Sequence, residues 1–233
     1  MHTQWSDGSG MIAEMAAAAE TRGYEYIAIT DHSKGLRIAG GIDELKLAAQ
    51  GAEISAWNAA HREGRLRILR SIELNLNPRG EGDMNAKSLG QLDLVLGSFH
   101  SALRTKEDQT GRYLAALRNR QVQILGHPRG RIYNFRAGLI ADWPRVFAEA
   151  ARLGKALEID CYPDRQDLNL ALLKLAREAG VSISLGTDAH HPWQLDFIGL
   201  GMAAALKAGV PAERIINFLP LSELKSWAAR TKA

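Results

Sequence analysis

One cysteine in 233 residues, Cys161, excludes an internal disulfide framework and a thiolate-rich metal site. A metal held by this chain would sit on imidazole and carboxylate. No stretch approaches the roughly 18 apolar residues of a membrane span, and the N-terminus lacks a charged region followed by an apolar one, so a soluble cytoplasmic protein is expected. There is no Walker-type phosphate loop and no Ser-His-Asp set in a nucleophile elbow, which argues against a covalent enzyme intermediate. Aromatics are 6% of the chain, and no basic tract interleaved with them offers a stacking platform for single strands. Neither sign of charge dominates: the formal net charge is +3, which is uninformative about partners.

What is present fits one globular domain over residues 1–233, with 46% hydrophobic and 24% charged residues. Short apolar runs at Tyr26–Thr30, Arg67–Leu74, Leu92–Ser98, Val122–Leu125, Ala156–Asp160 and Ser182–Leu185 read as strands. Met11–Arg22, Asp43–Arg62, Thr110–Arg118, Trp143–Leu153 and Leu168–Ala179 read as helices between them, and Leu195–Ala208 and Leu221–Arg230 as closing helices. Strand, helix, strand at this spacing predicts an α/β fold with right-handed crossovers and a parallel sheet covered on both faces. With a truncated first strand ending at His2, seven units predict closure into a barrel. Asn77–Asn85 reads as a loop.

Metal-ligand residue types recur where these apolar runs end: His32 after IAITD, His100 after VLGSF, His127 after ILG, and Asp188 with His190 in SLGTDAH. Ligands at the carboxyl ends of successive strands are how a barrel active site looks in one dimension. Glu73 stands inside ILRSIELNL, where an ionised carboxylate is costly unless paired or bound to a cation, and its two oxygens suit a bridging role. His2 and Asp7 open the chain in MHTQWSDG, whose glycine lets the backbone turn a carboxylate back over the mouth. Pro128 biases His127 toward extended backbone. Singly each histidine is ordinary; the ordered set carries the argument. His61, in a polar helical stretch, and His191, one residue out of phase, fall outside it.

MHTQWSDG, ITDHSKGLR, SIELN, GSFHS, ILGHPRGR, ALEIDCYPDRQDL and LGTDAHHPWQL, in this order, resemble the PHP (polymerase and histidinol phosphatase) family, most closely the C-terminal PHP domain of bacterial X-family DNA polymerases. The resemblance runs from His2 to about Gly201 and implies a distorted seven-stranded (β/α) barrel holding two to three divalent metals, zinc, manganese or iron. It implies that His2, Glu73 and Asp188 hold the first metal, Glu73, His100 and His127 the second, and Asp7, His32 and His190 the third. Glu73, Asp188 and His100 are the expected catalytic residues. The family's first motif is His-x-His, and only its second histidine, His2, is present. A missing N-terminal segment is the favoured explanation, and the first metal is expected to be weakly held or absent.

Such a ligand set implies phosphoester hydrolysis, since two divalent ions ~3.5–4 Å apart lower the pKa of a bridging water to roughly 7 and stabilise in-line displacement. Lys34, Arg37, Arg129, Arg131 and Arg165 are the candidates for holding the phosphate. The expected substrate is a nucleotide or DNA end; the alternatives are a small-molecule phosphomonoesterase of the histidinol-phosphatase type and a non-catalytic metal-stabilised module. Trp5, Tyr133, Phe135 and Trp193 fall in loops near the expected mouth, as base-stacking or packing residues.

Overall fold

The computed structural model describes residues 1–232. Among the described residues seven short strands are interspersed with eight α-helices. The strands are β1 (Tyr26–Ile29), β2 (Arg67–Arg70), β3 (Glu73–Leu76), β4 (Leu96–Phe99), β5 (Ile124–Leu125), β6 (Ala156–Asp160) and β7 (Ser182–Gly186). All pairings between them are parallel: β1 with β2, and β3 through β7 in chain order. The helices are α1 (Ile12–Thr21), α2 (Glu44–Ala60), α3 (Ala86–Leu89), α4 (Thr110–Arg118), α5 (Trp143–Arg152), α6 (Leu170–Glu178), α7 (Ile198–Ala208) and α8 (Leu221–Arg230). The fold is α/β with a parallel sheet, as the alternating pattern predicts.

It is not a closed barrel. The single strand expected at Arg67–Leu74 breaks at Ser71–Ile72 into β2 and β3, because it changes neighbours: β2 ladders onto β1 and β3 onto β4. The count of seven strands therefore arises from this break and not from a strand ending at His2. Between the outer edges of β1 and β7, at the carboxyl ends, runs the N-terminal segment, attached by single rungs: Thr30 N–H donates to Met1 O (3.0 Å), and His2 N–H donates to Ala189 O (2.7 Å). Further down the β7 edge, the Asn217 side chain substitutes for a neighbouring strand, accepting from Leu185 N–H (2.7 Å) and donating to Leu185 O (2.9 Å). A cavity of about 660 Å³ opens inside this seam, lined by Tyr26, Leu69, Leu96, Ile124 and Ser184 and floored by Leu224 of α8.

The outer core lies between sheet and helices, where Leu76, Tyr113, Phe147, Leu157 and Ile183 are fully buried. Aspartate or asparagine side chains fix where several helices begin. Asp43, Asn85, Asp142 and Asn169 each accept a backbone N–H three residues on, satisfying an end donor of α2, α3, α5 and α6. At Gly201, α7 comes so close to the end of β6 that any Cβ would collide with Cys161 Sγ. Among the described residues no helix is long and apolar enough to cross a membrane.

Candidate metal centre

The carboxyl ends of β1, β4, β5 and β7, the start of β3 and the N-terminal segment gather eight side chains into one cluster. Glu73, the first residue of β3, stands at its centre with 2% exposure. Its Oε1 lies 2.8 Å from His127 Nε2 and 3.2 Å from His100 Nε2; its Oε2 lies 3.2 Å from His32 Nδ1 and 3.4 Å from His2 Nε2. His2 Nε2 is also 3.0 Å from Asp188 Oδ1. At the outer end Asp7 Oδ1 meets His190 Nε2 at 3.5 Å, His32 Nε2 at 3.7 Å and His2 Nδ1 at 3.9 Å.

Among the described residues three groups have donor atoms close enough together for one cation each: His2, Asp7, His32 and His190; His32, Glu73 and His100; and His2, Glu73 and Asp188. The last is the trio expected for the first metal. The other two differ from expectation in detail, because His2 joins the Asp7 group and His32 stands in the Glu73–His100 group. His127 reaches the cluster through its contact with Glu73. Ring stacking explains the sharing, since His2 lies 4.3 Å from both His32 and His190 between ring centroids. His61 caps the end of α2 and His191 caps a short turn, so neither joins a group.

The electrostatics suit cations. Burial, reinforced by His32, lowers His2 to about 4, so its ring is neutral near pH 7 with a free lone pair. Burial likewise lowers His100. Burial pushes the Glu73 carboxyl up, but the surrounding imidazoles outweigh it and hold it well below the ordinary carboxylate range. Asp188 is lowered in the same way, by His2 against burial. Burial disfavours the proton on His127, yet the bond to Glu73 overcomes it and raises the ring to about 10. Nδ1 of His2, His32 and His127 and Oδ2 of Asp160 are buried without a hydrogen-bond partner. Unpartnered imidazole nitrogens beside the carboxylates of Glu73, Asp188 and Asp7 are a donor set into which divalent cations fit, a cation taking the place of the proton that Glu73 holds on His127.

Two ligand-bearing residues adopt left-handed backbone. His127 has φ 23° instead of the extended conformation expected before Pro128, and Asp188 has φ 49°. The His127 N–H donates to Glu158 Oε2 (2.7 Å), which fixes the turn that brings the ring under Glu73. Such conformations persist where the surroundings over-determine them.

The five basic candidates are not equivalent. Arg165 alone touches the cluster, with Nη2 3.5 Å from Asp188 Oδ2. Arg131 donates to the carbonyl of Arg165, so it acts one residue removed. Arg129 spends its guanidinium on Ala137 O (2.8 Å), shaping the following loop. Lys34 is paired with Glu44 at 2.8 Å, and Arg37 is exposed in a short turn. Trp5 donates to Glu53 and packs against the core, whereas Tyr133, Phe135 and Trp193 are exposed.

Three carboxylates near the site go unnoticed in sequence. Glu158 and Asp160 on β6 are buried; burial raises Glu158 to about 7 and Asp160 well above its ordinary range. Their signal was available, since ALEID sets carboxylates in an apolar run as SIELN sets Glu73. Asp31, fully buried, accepts from Thr3 N–H (2.7 Å), Thr3 Oγ1 (2.7 Å), Ser6 Oγ (2.5 Å) and Gln50 Nε2 (2.6 Å), tying the segment that carries His2 and Asp7 to the end of β1.

Comparison with known proteins follows the same residues. Residues 1–188 match the PHP domain. The chain belongs to the PHP domain family. This PHP chain is 36% identical over 231 residues to the DNA polymerase/3′-5′ exonuclease PolX of Bacillus subtilis, covering 99% of this chain but 40% of that protein. It is 30% identical over 222 residues to a probable phosphatase of Photobacterium profundum, covering 88% of this chain and 82% of that protein. The PHP fold here superposes with a TM-score of 0.65 on histidinol phosphate phosphatase from Lactococcus lactis subsp. lactis, solved with zinc, L-histidinol and phosphate. That likeness, at 21% identity over 90% of this chain and 92% of the other, is one of fold.

Proposed function

We propose that this PHP domain, as one unit over residues 1–233, is a metal-dependent phosphoesterase that hydrolyses nucleotide or DNA-end phosphoesters with two to three divalent ions, zinc, manganese or iron. The observation that carries it is the interlocking of three ligand groups through His2, His32 and Glu73. Imidazoles of His2, His32, His100 and His127 converge within 2.8–3.4 Å on one buried carboxylate, a gathering of lone pairs and negative charge that a cation would compensate. When bound, such ions acidify a water and stabilise the charge that develops on a transferring phosphoryl group.

The chain's own residues divide the remaining work. Glu73 would bridge, with His100 and His127 on one oxygen and His2 and His32 on the other. Asp188 would complete the inner group, and Asp7 with His190 the outer one. Arg165 lies beside Asp188, where a guanidinium can donate to two phosphate oxygens at once. Arg131 holds that segment in place through the Arg165 carbonyl. The nucleic-acid reading is supported by the extent of similarity to the B. subtilis protein. The phosphatase relatives and the fold of the histidinol phosphate phosphatase support the small-molecule alternative.

The deciding experiment measures phosphate release, with manganese, from a 3′-phosphorylated oligonucleotide and from histidinol phosphate. Turnover of the oligonucleotide, lost in Glu73→Ala and His100→Ala, is expected. Turnover of histidinol phosphate alone would transfer the site to small molecules, and equal turnover in both variants would remove the assignment of the centre.

A further inference from the structure

The loop after His127, PRGRIYNFR, has a second character that only the fold makes visible. Ile132 and Arg136 exchange both backbone hydrogen bonds at 2.9 Å, closing a three-residue tip with Asn134 in the left-handed region at φ 55°. The tip holds Tyr133 and Phe135 out in solvent, 63% and 61% exposed. Neither ring stands alone. The Arg104 guanidinium, from a different loop, lies 4.4 Å from the Phe135 ring centroid and donates to Phe135 O at 3.3 Å. The Arg131 guanidinium lies 5.8 Å from the Tyr133 ring.

This hairpin is anchored to the metal centre. Tyr133 N–H donates to Asp164 O (2.7 Å), Arg131 donates to the carbonyl of Arg165, and Arg165 reaches Asp188. Acidic residues lie at its base, where Asp164 O accepts from Tyr133 N–H and Asp167 Oδ2 from Arg131 N–H. Among the described residues, the carboxylates within ion-pair distance of this loop face Arg165, through Asp160, Asp164 and Asp188, and none reaches Arg104, Arg131 or Arg136. Two exposed rings beside unneutralised guanidiniums form a surface for flat aromatic groups strung on an anionic backbone, because stacking serves any base and the arginines serve phosphates.

We infer that the hairpin at residues 132–136, with Arg104, is a stacking subsite for the bases of single-stranded nucleic acid next to the phosphoester at the metal centre. The inference rests on the phosphoesterase reading for its orientation but not for its binding. It revises the expectation that no basic tract is interleaved with aromatics. Arg129, Arg131 and Arg136 flank Tyr133 and Phe135 in sequence, and Arg104 joins them in space.

The test is fluorescence anisotropy of a labelled single-stranded oligonucleotide with phosphorothioate linkages, titrated with the manganese-loaded chain, alongside the metal content of each variant. The double variant Tyr133→Ala/Phe135→Ala should bind about tenfold or more weakly, as expected when stacked bases lose their ring partners. Tyr133→Phe/Phe135→Tyr, which keeps both rings, should bind as the parent does. Unchanged affinity in the alanine variant would overturn the subsite, as would loss of binding in the ring-keeping variant. Displacement of the oligonucleotide by polyglutamate equally from parent and alanine variant would also overturn it, since charge alone would then suffice. An unmodified 3′-phosphorylated oligonucleotide that binds through the hairpin without being hydrolysed would leave the subsite standing and remove the reading of the centre as a nucleic-acid phosphoesterase.

Discussion

The metal centre has two halves built by different means. Glu73, His100 and His127 stand on or just beyond β3, β4 and β5, which are laddered to their neighbours in one continuous sheet. His2, Asp7 and His190 stand on the seam between β1 and β7, where isolated hydrogen bonds and the buried Asp31 carboxylate hold the chain. Exposure differs at the outer end of the seam: the Asp7 and His190 side chains are 33% and 31% accessible, whereas His2 at its inner end is 2% and Glu73 3%. A cation at the first half would meet ligands already fixed, whereas one at the seam would also have to order its own ligands. Pre-organisation raises affinity by removing that cost.

The largest test of this contrast is metal content. Glu73→Ala, which strips the residue central to two ligand groups, should leave the purified chain with at most one bound metal by elemental analysis, and His190→Ala should lose one ion and keep the others. If His190→Ala empties the chain as fully as Glu73→Ala, the halves are not independent.

Next in size is Asp31→Ala. It leaves the Thr3 N–H and the Gln50 amide buried without their acceptor, a loss of about 1–3 kcal/mol in urea unfolding of the metal-free chain. Metal affinity should fall at the seam and hold at the Glu73–His100 group. Equal weakening of both would show that the seam is as much a part of the frame as the ladders.

The smallest effect lies on the outer wall of the laddered half. There Glu149 of α5 bonds to Arg152 and to Arg118 of α4, and these bonds pull its pKa down to about 2. A carboxyl whose folded value lies below its ordinary value of 4.5 stabilises the fold above about pH 4.5 and loses that contribution as pH falls toward 2. Glu149→Gln should therefore be less stable than the parent at pH 7 by about 0.5 kcal/mol, and the two should converge near pH 2 in thermal melts.

The same contrast governs what the sequence makes legible. Strands β4, β5 and β7 of the laddered half announce themselves as apolar runs followed by a ligand type, and the helices between them by their spacing. The break at Ser71–Ile72 does not, because no glycine or proline marks it and its cause is a change of partner strand. Nor can spacing show that His2 stacks between His32 and His190 and so serves two groups, since that depends on rings from three distant segments meeting. Spacing does not rank the basic candidates, for a related reason. A loop arginine reads the same whether it faces a ligand, as Arg165 does beside Asp188, or a carbonyl of its own loop, as Arg129 does.

Cys161, packed under Gly201 at the end of β6, gives the molecule a clock. It is the sole thiol, 1% exposed, and burial raises its pKa well above the ordinary range, so the closed form holds almost no thiolate. Alkylation must wait until α7 parts from β6, and each labelled molecule records one such opening. Because the Cys161 N–H donates to Gly186 O (2.7 Å), two residues before Asp188, the rate of that chemistry reports the breathing of the strand end on which the inner metal group depends.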